Sequence, residues 1–279
     1  MKRSDVEALL AQLKGFYISD KEPSGHPRAI ILGGQPSAGK SALAKIAQNE
    51  LPSILTINGD KYREHHPLHK ELIKAPLKYS SETQIFSNVF TEGLIDEAIR
   101  NRLNVSVEGT MRRSEVVADT ARKFKRAGFE VELMCISAPP ELTAVNLFSR
   151  YASEVQLMDN GRLADFESHN QACNGILKTL DDAYENTDID RIRLYALFGM
   201  ELIADYQRNE DGHWTIQEKP SELITRIRDK QLQNRELVLL LIDKGLTALS
   251  IIQDEKIREK LISQLHHLIR RTSTIQPHQ

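Results

Sequence analysis

The sequence predicts an α/β fold, a parallel sheet flanked by helices and followed by a C-terminal helical extension. Three observations carry that prediction. Apolar strand-like runs alternate with helical stretches between residues 28 and 200. A glycine-rich turn, Gly34-Gln35-Pro36-Ser37-Ala38-Gly39-Lys40-Ser41, joins the first such run to the helix after it. From Lys219 onward no strand signal remains and only helical spacing persists. The chain of 279 residues therefore divides into an N-terminal helix and connector (1–27), an α/β domain (28–218) and a helical extension (219–279).

The elements follow in order. Residues 5–17 pattern as an amphipathic helix with Val6, Leu9, Leu10 and Leu13 on one face. Lys21 to Pro27 is a polar Pro/Gly connector. Strands are predicted at Arg28–Leu32, Ser53–Ile57, Asn104–Glu108, Glu130–Ile136 and Arg191–Tyr195. Between and after them, helices are predicted at Lys40–Asn49, Glu82–Arg102, Arg113–Arg126, Pro140–Ser153 and Ala164–Asp182. Leu202–Tyr206 and His213–Gln217 flank Asn209-Glu210-Asp211-Gly212, which reads as a hairpin or turn.

The extension reads as two helices, 221–243 and 254–271, broken near Gly245. Ile257, Leu261, Leu265 and Leu268 recur at helical spacing in the second. The extension carries 11 basic against 7 acidic residues, a net of +4. An antiparallel helical pair packed on the core or on another subunit accounts for it. A regulatory or partner-binding role and nucleic-acid contact through His266-His267 and Arg270-Arg271 are the alternatives.

Composition narrows the function classes. Hydrophobic content of 40% and charged content of 27% are ordinary for a soluble globular protein. A net charge of −2 supplies no global basic field, so a nucleic-acid partner is not expected. Two cysteines do not make a disulfide framework. Cys135 sits in an apolar run, as a buried thiol would, and neither Cys135 nor Cys173 has metal-ligand spacing. Glu7, Gln12 and Lys14 interrupt any leader-like apolar region, and no run approaches the ~18 apolar residues of a membrane span. A cytoplasmic protein with no membrane partner is expected.

The glycine-rich turn fits G-x-x-x-x-G-K-[ST], the phosphate-binding P-loop, in its strand–turn–helix context. Such a loop aims backbone N–H groups and a helix N-terminus at phosphate oxygens. Gly34, Gln35, Pro36, Ser37, Ala38, Gly39, Lys40 and Ser41 are the expected ATP-binding residues. Lys40 is expected to reach the β- and γ-phosphates, and the Ser41 hydroxyl to hold Mg²⁺. Ser37 stands where many such loops carry glycine.

Other candidates sit at strand ends, where open α/β sheets bind ligands. Asp60 ends the second strand and can accept a proton from an attacking hydroxyl. Glu108 ends the third and could order Mg²⁺ or bind a substrate hydroxyl, with Thr110 and Arg112 on the following loop. Arg150 and Arg162 flank a polar stretch, as lid arginines that hold a transferring phosphoryl group would. His65, His66 and His169 lack any zinc-ligand pattern.

Taken together these residues resemble the zeta toxin family of bacterial toxin–antitoxin systems. The matching pieces are Leu32 to Ser41, Ile57-Asn58-Gly59-Asp60-Lys61-Tyr62-Arg63 with His66-Pro67, Phe90-Thr91-Glu92, Val107-Glu108-Gly109-Thr110, Arg150-Tyr151, and Arg162 followed by His169-Asn170. They span roughly residues 28–200 in order. The resemblance implies a P-loop kinase that uses ATP and Mg²⁺ to phosphorylate the sugar 3′-hydroxyl of UDP-N-acetylglucosamine or a related UDP-amino sugar. It implies Asp60 as base, Lys40, Arg150 and Arg162 as the charges around the transferred group, and Glu92, Glu108, Thr110, Arg112 and Thr120 as UDP-sugar contacts. It also implies a helical antitoxin over the nucleotide site, or an intramolecular inhibitory helix from residues 1–20 or 221–271. Asn58 stands where the family usually has Asp, and Met111 where one familiar member has Gly. A P-loop kinase for another hydroxyl (an antibiotic, a nucleoside or a nucleic-acid end) is one rival. A nucleotide-binding interaction protein without transfer is the other.

Overall fold

The computed structural model describes residues 1–136, 138–159, 161–199 and 201–274. Among these, the strands form a six-stranded sheet in the order β2-β3-β1-β4-β5-β6. Its members are β1 (Arg28–Gly33), β2 (Leu55–Asn58), β3 (Val105–Glu108), β4 (Glu130–Ile136), β5 (Arg191–Tyr195) and β6 (Leu202–Gln207). β1 to β5 pair in parallel and β6 closes one edge antiparallel to β5. The central strands are buried on both faces, which is why β1 and β4 read as near-continuous apolar runs.

The helices cover both faces. They are α1 (Arg3–Ile18), α2 (Lys40–Glu50), α3 (His69–Leu72), α4 (Pro76–Glu82), α5 (Gln84–Arg100), α6 (Ser114–Arg126), α7 (Pro140–Met158), α8 (Phe166–Glu185), α9 (Pro220–Gln233), α10 (Arg235–Ile251) and α11 (Glu255–Thr274). One apolar cluster joins α1, α5, α6, α8 and the start of α9 to one face of the sheet. The other joins α2, α7, α10 and α11 to the opposite face. The C-terminal helices therefore complete both layers. Because β1 lies between β3 and β4, the chain reverses direction across the sheet there. A crevice opens beside β1 at the carboxyl ends of the strands, the ligand position of doubly wound sheets.

Four sequence expectations change. The extension breaks at Asn234 and Ile252, not near Gly245, which lies inside α10. Asn234 caps α10 by accepting from the Leu237 N–H at 3.0 Å. At Gly245 a Cβ would lie 2.7 Å from Leu265 and 2.9 Å from Val145, so this glycine is there for close helix approach. The long helix expected at Glu82–Arg102 is split, with α4 ending at Glu82 and α5 starting at Gln84. The segment His213–Gln217 makes a single bridge, Arg208 to Trp214, while β6 takes β5 as its partner. Expected strand Ser53–Ile57 shifts to Leu55–Asn58.

Candidate active site

The phosphate cradle follows from local backbone chemistry. β1 ends at Gly33 and α2 starts at Lys40, so the six residues 34–39 reverse from strand to helix. Gly39 adopts φ 101°, and a side chain there would strike the Phe198 backbone at 2.7 Å. Ser37 holds φ 62°, which costs a non-glycine residue about 1–2 kcal/mol. Asn146 Nδ2 steadies it by donating to the Ser37 carbonyl at 2.8 Å. The N–H groups of Gly39, Lys40 and Ser41 have no backbone acceptor among the described residues. Lys40 Nζ folds back onto the carbonyls of Gly34 at 2.9 Å and Gln35 at 3.2 Å. Burial lowers the Lys40 pKa, against the opposing charges of Glu108 and Asp60.

Gln35 is not aimed at a ligand. It is fully buried, and its Nε2 donates to the Ala138 carbonyl at 2.7 Å and to Thr143 Oγ1 at 3.3 Å. It therefore fastens the cradle to the start of α7. Gly34 and Ala38 are likewise buried in the turn. Pro36, Ser37, Gly39, Lys40 and Ser41 reach cavities.

Asp60 stands just past β2, opposite the cradle. Its Oδ1 accepts from Arg63 Nε at 2.9 Å and its Oδ2 pairs with Arg162 Nη1 at 2.8 Å. Burial alone would raise its pKa, but Arg162 and then Arg63 outweigh it and hold the carboxylate at about 2. Asn58 links the two strand ends. Its Nδ2 donates to Glu108 Oε2 at 2.6 Å while its Oδ1 accepts from the Asp60 N–H at 3.0 Å. An aspartate at position 58 would set two carboxylates together, so the asparagine fits its neighbour Glu108. Burial raises the Glu108 pKa, with Lys40 opposing.

Two cavities meet at these residues. Lys40, Asp60, Glu108, Arg150 and Arg162 line both. The smaller, about 300 Å³, extends to Gln84, Ser87, Thr110, Arg112 and Ser168. The larger, about 1040 Å³, extends past Ser41 to Phe198 and α7. Asn146, Arg150, Glu154 and Met158 recur every fourth residue of α7 and share that wall. Glu154 ties the lid together. One oxygen accepts from Arg150 Nε at 2.9 Å, the other from the Arg162 backbone N–H at 2.8 Å.

Glu92 and Thr120 line neither cavity. Along α5 the residues facing Gly59 are Ser87 and Thr91. One residue further the helix has turned about 100°, so Glu92 faces α1 and pairs with Arg3 at 2.6 Å. Thr120 returns its hydroxyl to the Val116 carbonyl at 2.7 Å within α6. Met111 is buried against Gly33 and lines neither cavity. No residue of α1, α9, α10 or α11 lines either cavity, so neither candidate inhibitory segment occupies the crevice.

Sequence reasoning passed over Arg63, Gln84, Ser87, Asn146, Glu154 and Phe198. Arg63 is the most consequential. It is 6% exposed and donates to Asp60, the Ser80 carbonyl, Thr83 Oγ1 and Gln84 Oε1. The four-residue spacing on α7 was a usable signal for Asn146 and Glu154. His65 stacks on Phe90, and buried His169 bonds Thr143.

Magnesium would suit the cradle on its donor chemistry. The Ser41 hydroxyl is exposed at the rim. Among the described residues no group of three or more His, Cys, Asp or Glu forms a metal cage. A hydroxyl with few carboxylates is the donor set of an ion that arrives with phosphate oxygens and water.

The profile of the family described as Zeta toxin matches residues 16–219. Toxin PezT of Streptococcus pneumoniae serotype 4 is 34% identical over 195 residues, covering 69% of this chain and 77% of that protein. A structure from the PezAT chromosomal toxin–antitoxin system of S. pneumoniae superposes with a TM-score of 0.74 at 24% identity, covering 89% of this chain and 98% of the other. A structure of AvrRxo1-ORF1:AvrRxo1-ORF2 with ATP gives a TM-score of 0.51 at 17% identity, covering 98% of this chain and 86% of that chain.

Proposed function

The chain belongs to the zeta toxin family, and on that premise we propose that it is an ATP- and Mg²⁺-dependent kinase acting on the sugar 3′-hydroxyl of UDP-N-acetylglucosamine or a related UDP-amino sugar, as the toxin of a toxin–antitoxin pair. One observation carries the kinase reading. Two cavities, one opening on the phosphate cradle and one on polar side chains suited to an acceptor, share Lys40, Asp60 and Arg162 at their junction.

The larger cavity takes the nucleotide, with its phosphates along Gly39 to Ser41. Lys40 leaves its two carbonyls for the β- and γ-phosphate oxygens. The Ser41 hydroxyl holds Mg²⁺, which neutralises charge on those oxygens when bound. The smaller cavity takes the acceptor, with Glu108, Thr110, Arg112 and Gln84 as polar contacts. The acceptor oxygen forms its bond to the γ-phosphorus as the bond to the β,γ-bridging oxygen breaks, and the hydroxyl proton passes to Asp60. A carboxylate with a pKa near 2 is a weak base. That suffices, because phosphoryl transfer draws most of its rate from positioning and charge stabilisation.

Arg162 has two roles in sequence. At rest it neutralises Asp60. On binding, the γ-phosphate competes for its guanidinium and releases one Asp60 oxygen toward the acceptor. Arg150, 58% exposed, supplies the second charge from α7. The ATP in the AvrRxo1-ORF1 structure supports a nucleotide in this fold, and the PezAT system and AvrRxo1-ORF1:ORF2 complex support a protein antitoxin.

Mass spectrometry of a UDP-sugar panel incubated with ATP, Mg²⁺ and the protein tests the reading. A gain of one phosphate on a UDP-amino sugar is expected, lost with Lys40→Ala and Asp60→Asn. Transfer that survives either variant would remove the assigned roles. A second reading, a kinase for a different small hydroxyl compound, draws on the placement of Glu92 and Thr120 away from the acceptor cavity. Nucleosides and aminoglycosides in the same panel decide between them.

A further inference from the structure

We propose that Phe198, backed by Lys244 of the C-terminal extension, is the base-recognition wall of the nucleotide cavity and takes the aromatic ring of the bound nucleoside triphosphate. The inference rests on the kinase reading and names a subsite within it.

Phe198 belongs to the short turn Leu197–Gly199 that follows β5. Its backbone N–H donates to the Ala38 carbonyl at 3.0 Å. Its Cα would lie 2.7 Å from a Cβ placed on Gly39. The turn therefore rides directly on the phosphate cradle. A triphosphate seated along Gly39 to Ser41 runs out past it.

The conformation is unusual for the residue type. Phe198 holds φ 68°, where a bulky side chain is a genuine outlier. Residues held this way persist only when the surroundings fix them, and they gather at ligand sites. Here the Ala38 bond and the missing Gly39 side chain do the fixing. The result puts a half-buried aromatic residue on the wall of the larger cavity. Lys244 Nζ lies 5.3 Å from the ring centroid, within cation–π range, and holds the ring from α10.

On the α7 side of this wall the polar groups meet protein partners. Asn146 holds the Ser37 carbonyl, and Arg150 pairs with Glu154. Phe198, bonded through its backbone to the cradle, offers a surface for a flat, π-faced ligand, and stacking is the interaction such a ring offers.

Titration calorimetry of the full chain with Mg²⁺·ATP and, separately, Mg²⁺·tripolyphosphate tests this without requiring turnover. Phe198→Ala is expected to weaken ATP on the order of tenfold or more and to leave tripolyphosphate unchanged. Phe198→Tyr is expected to restore ATP affinity. Lys244→Ala, at an exposed position, is expected to weaken ATP by a smaller factor and to spare tripolyphosphate. Equal loss of both ligands in Phe198→Ala, or unchanged ATP affinity in both variants, would overturn the assignment. Wild-type protein that binds neither ligand would instead remove the nucleotide reading itself.

Discussion

Two clusters of buried charge lie in this molecule, and only one is built to rearrange. In the middle of the sheet Arg193, 4% exposed, pairs with Glu132, 1% exposed. It also grips both oxygens of Glu50, at 2.5 and 2.9 Å. Arg28 takes the second Glu132 oxygen at 2.7 Å. Glu132 is thus held by two arginines and Glu50 by both ends of one. At the strand ends, Asp60 is 45% exposed, Arg162 Nε and Ser37 Oγ are buried without partners, and Lys40 rests on carbonyls. Burial alone does not set the roles of the clusters, although Glu132 is 1% exposed and Asp60 45%. Position does, because the first lies along β4 and β5 and the second where the parallel strands end. Spare hydrogen-bonding capacity does not, since Arg28 Nε in the sheet cluster is buried without a hydrogen-bond partner just as Arg162 Nε is.

The largest effects should separate the clusters outright. Lys40→Ala is expected to lower phosphoryl transfer by roughly 10²–10³-fold or more, with little change in the urea midpoint. Arg193→Met should do the reverse. It leaves buried Glu132 with Arg28 alone and costs at most about 3–5 kcal/mol of stability, while the remaining folded protein keeps near wild-type kcat. Loss of activity without loss of stability in Arg193→Met would erase the distinction.

A pH series sharpens it further. Asp60 has its pKa depressed to about 2, so in the free enzyme it stays ionised well below pH 4. It contributes stability present above its unfolded value, near 3.9, and lost as pH falls through the folded one. Arg162→Ala removes the strongest influence holding it down, and burial then pushes the pKa upward. The acid limb of kcat/KM is expected to move to higher pH in that variant. An unmoved limb would mean that Asp60 is not the group being read. The smallest effect belongs to Glu154→Gln. Weakening an exposed pair with Arg150 should raise KM for ATP by roughly threefold, equivalent to about 0.6 kcal/mol.

Much of this was legible in the sequence. The β1 strand, the cradle and α2 could be read because a short apolar run, two glycines and a lysine leave few alternatives. Asp60 and Glu108 could be placed because both close a strand beside that cradle. The breaks in the extension were misread at Gly245, because glycine in a helix signals either a stop or a close approach, and only the neighbours Leu265 and Val145 decide. Glu92 depends on which way one turn of α5 points, and a one-residue rotation separates Thr91 from it. Arg63 gave no sign of its role, because its four acceptors come from α4, the α4–α5 junction, α5 and the turn after β2, and only folding assembles them.

Gly245 reaches beyond packing. It lets α10 lie closely on α7 at Val145, one residue before Asn146 and five residues before Arg150. The tail therefore works as a keel for the lever that carries the arginine. Cutting the chain after residue 219 would leave that lever unsupported, and a methyl group at 245 would tilt it from behind. Sensitivity of transfer to such remote edits would arise from mechanics, with no ligand ever touching the altered site.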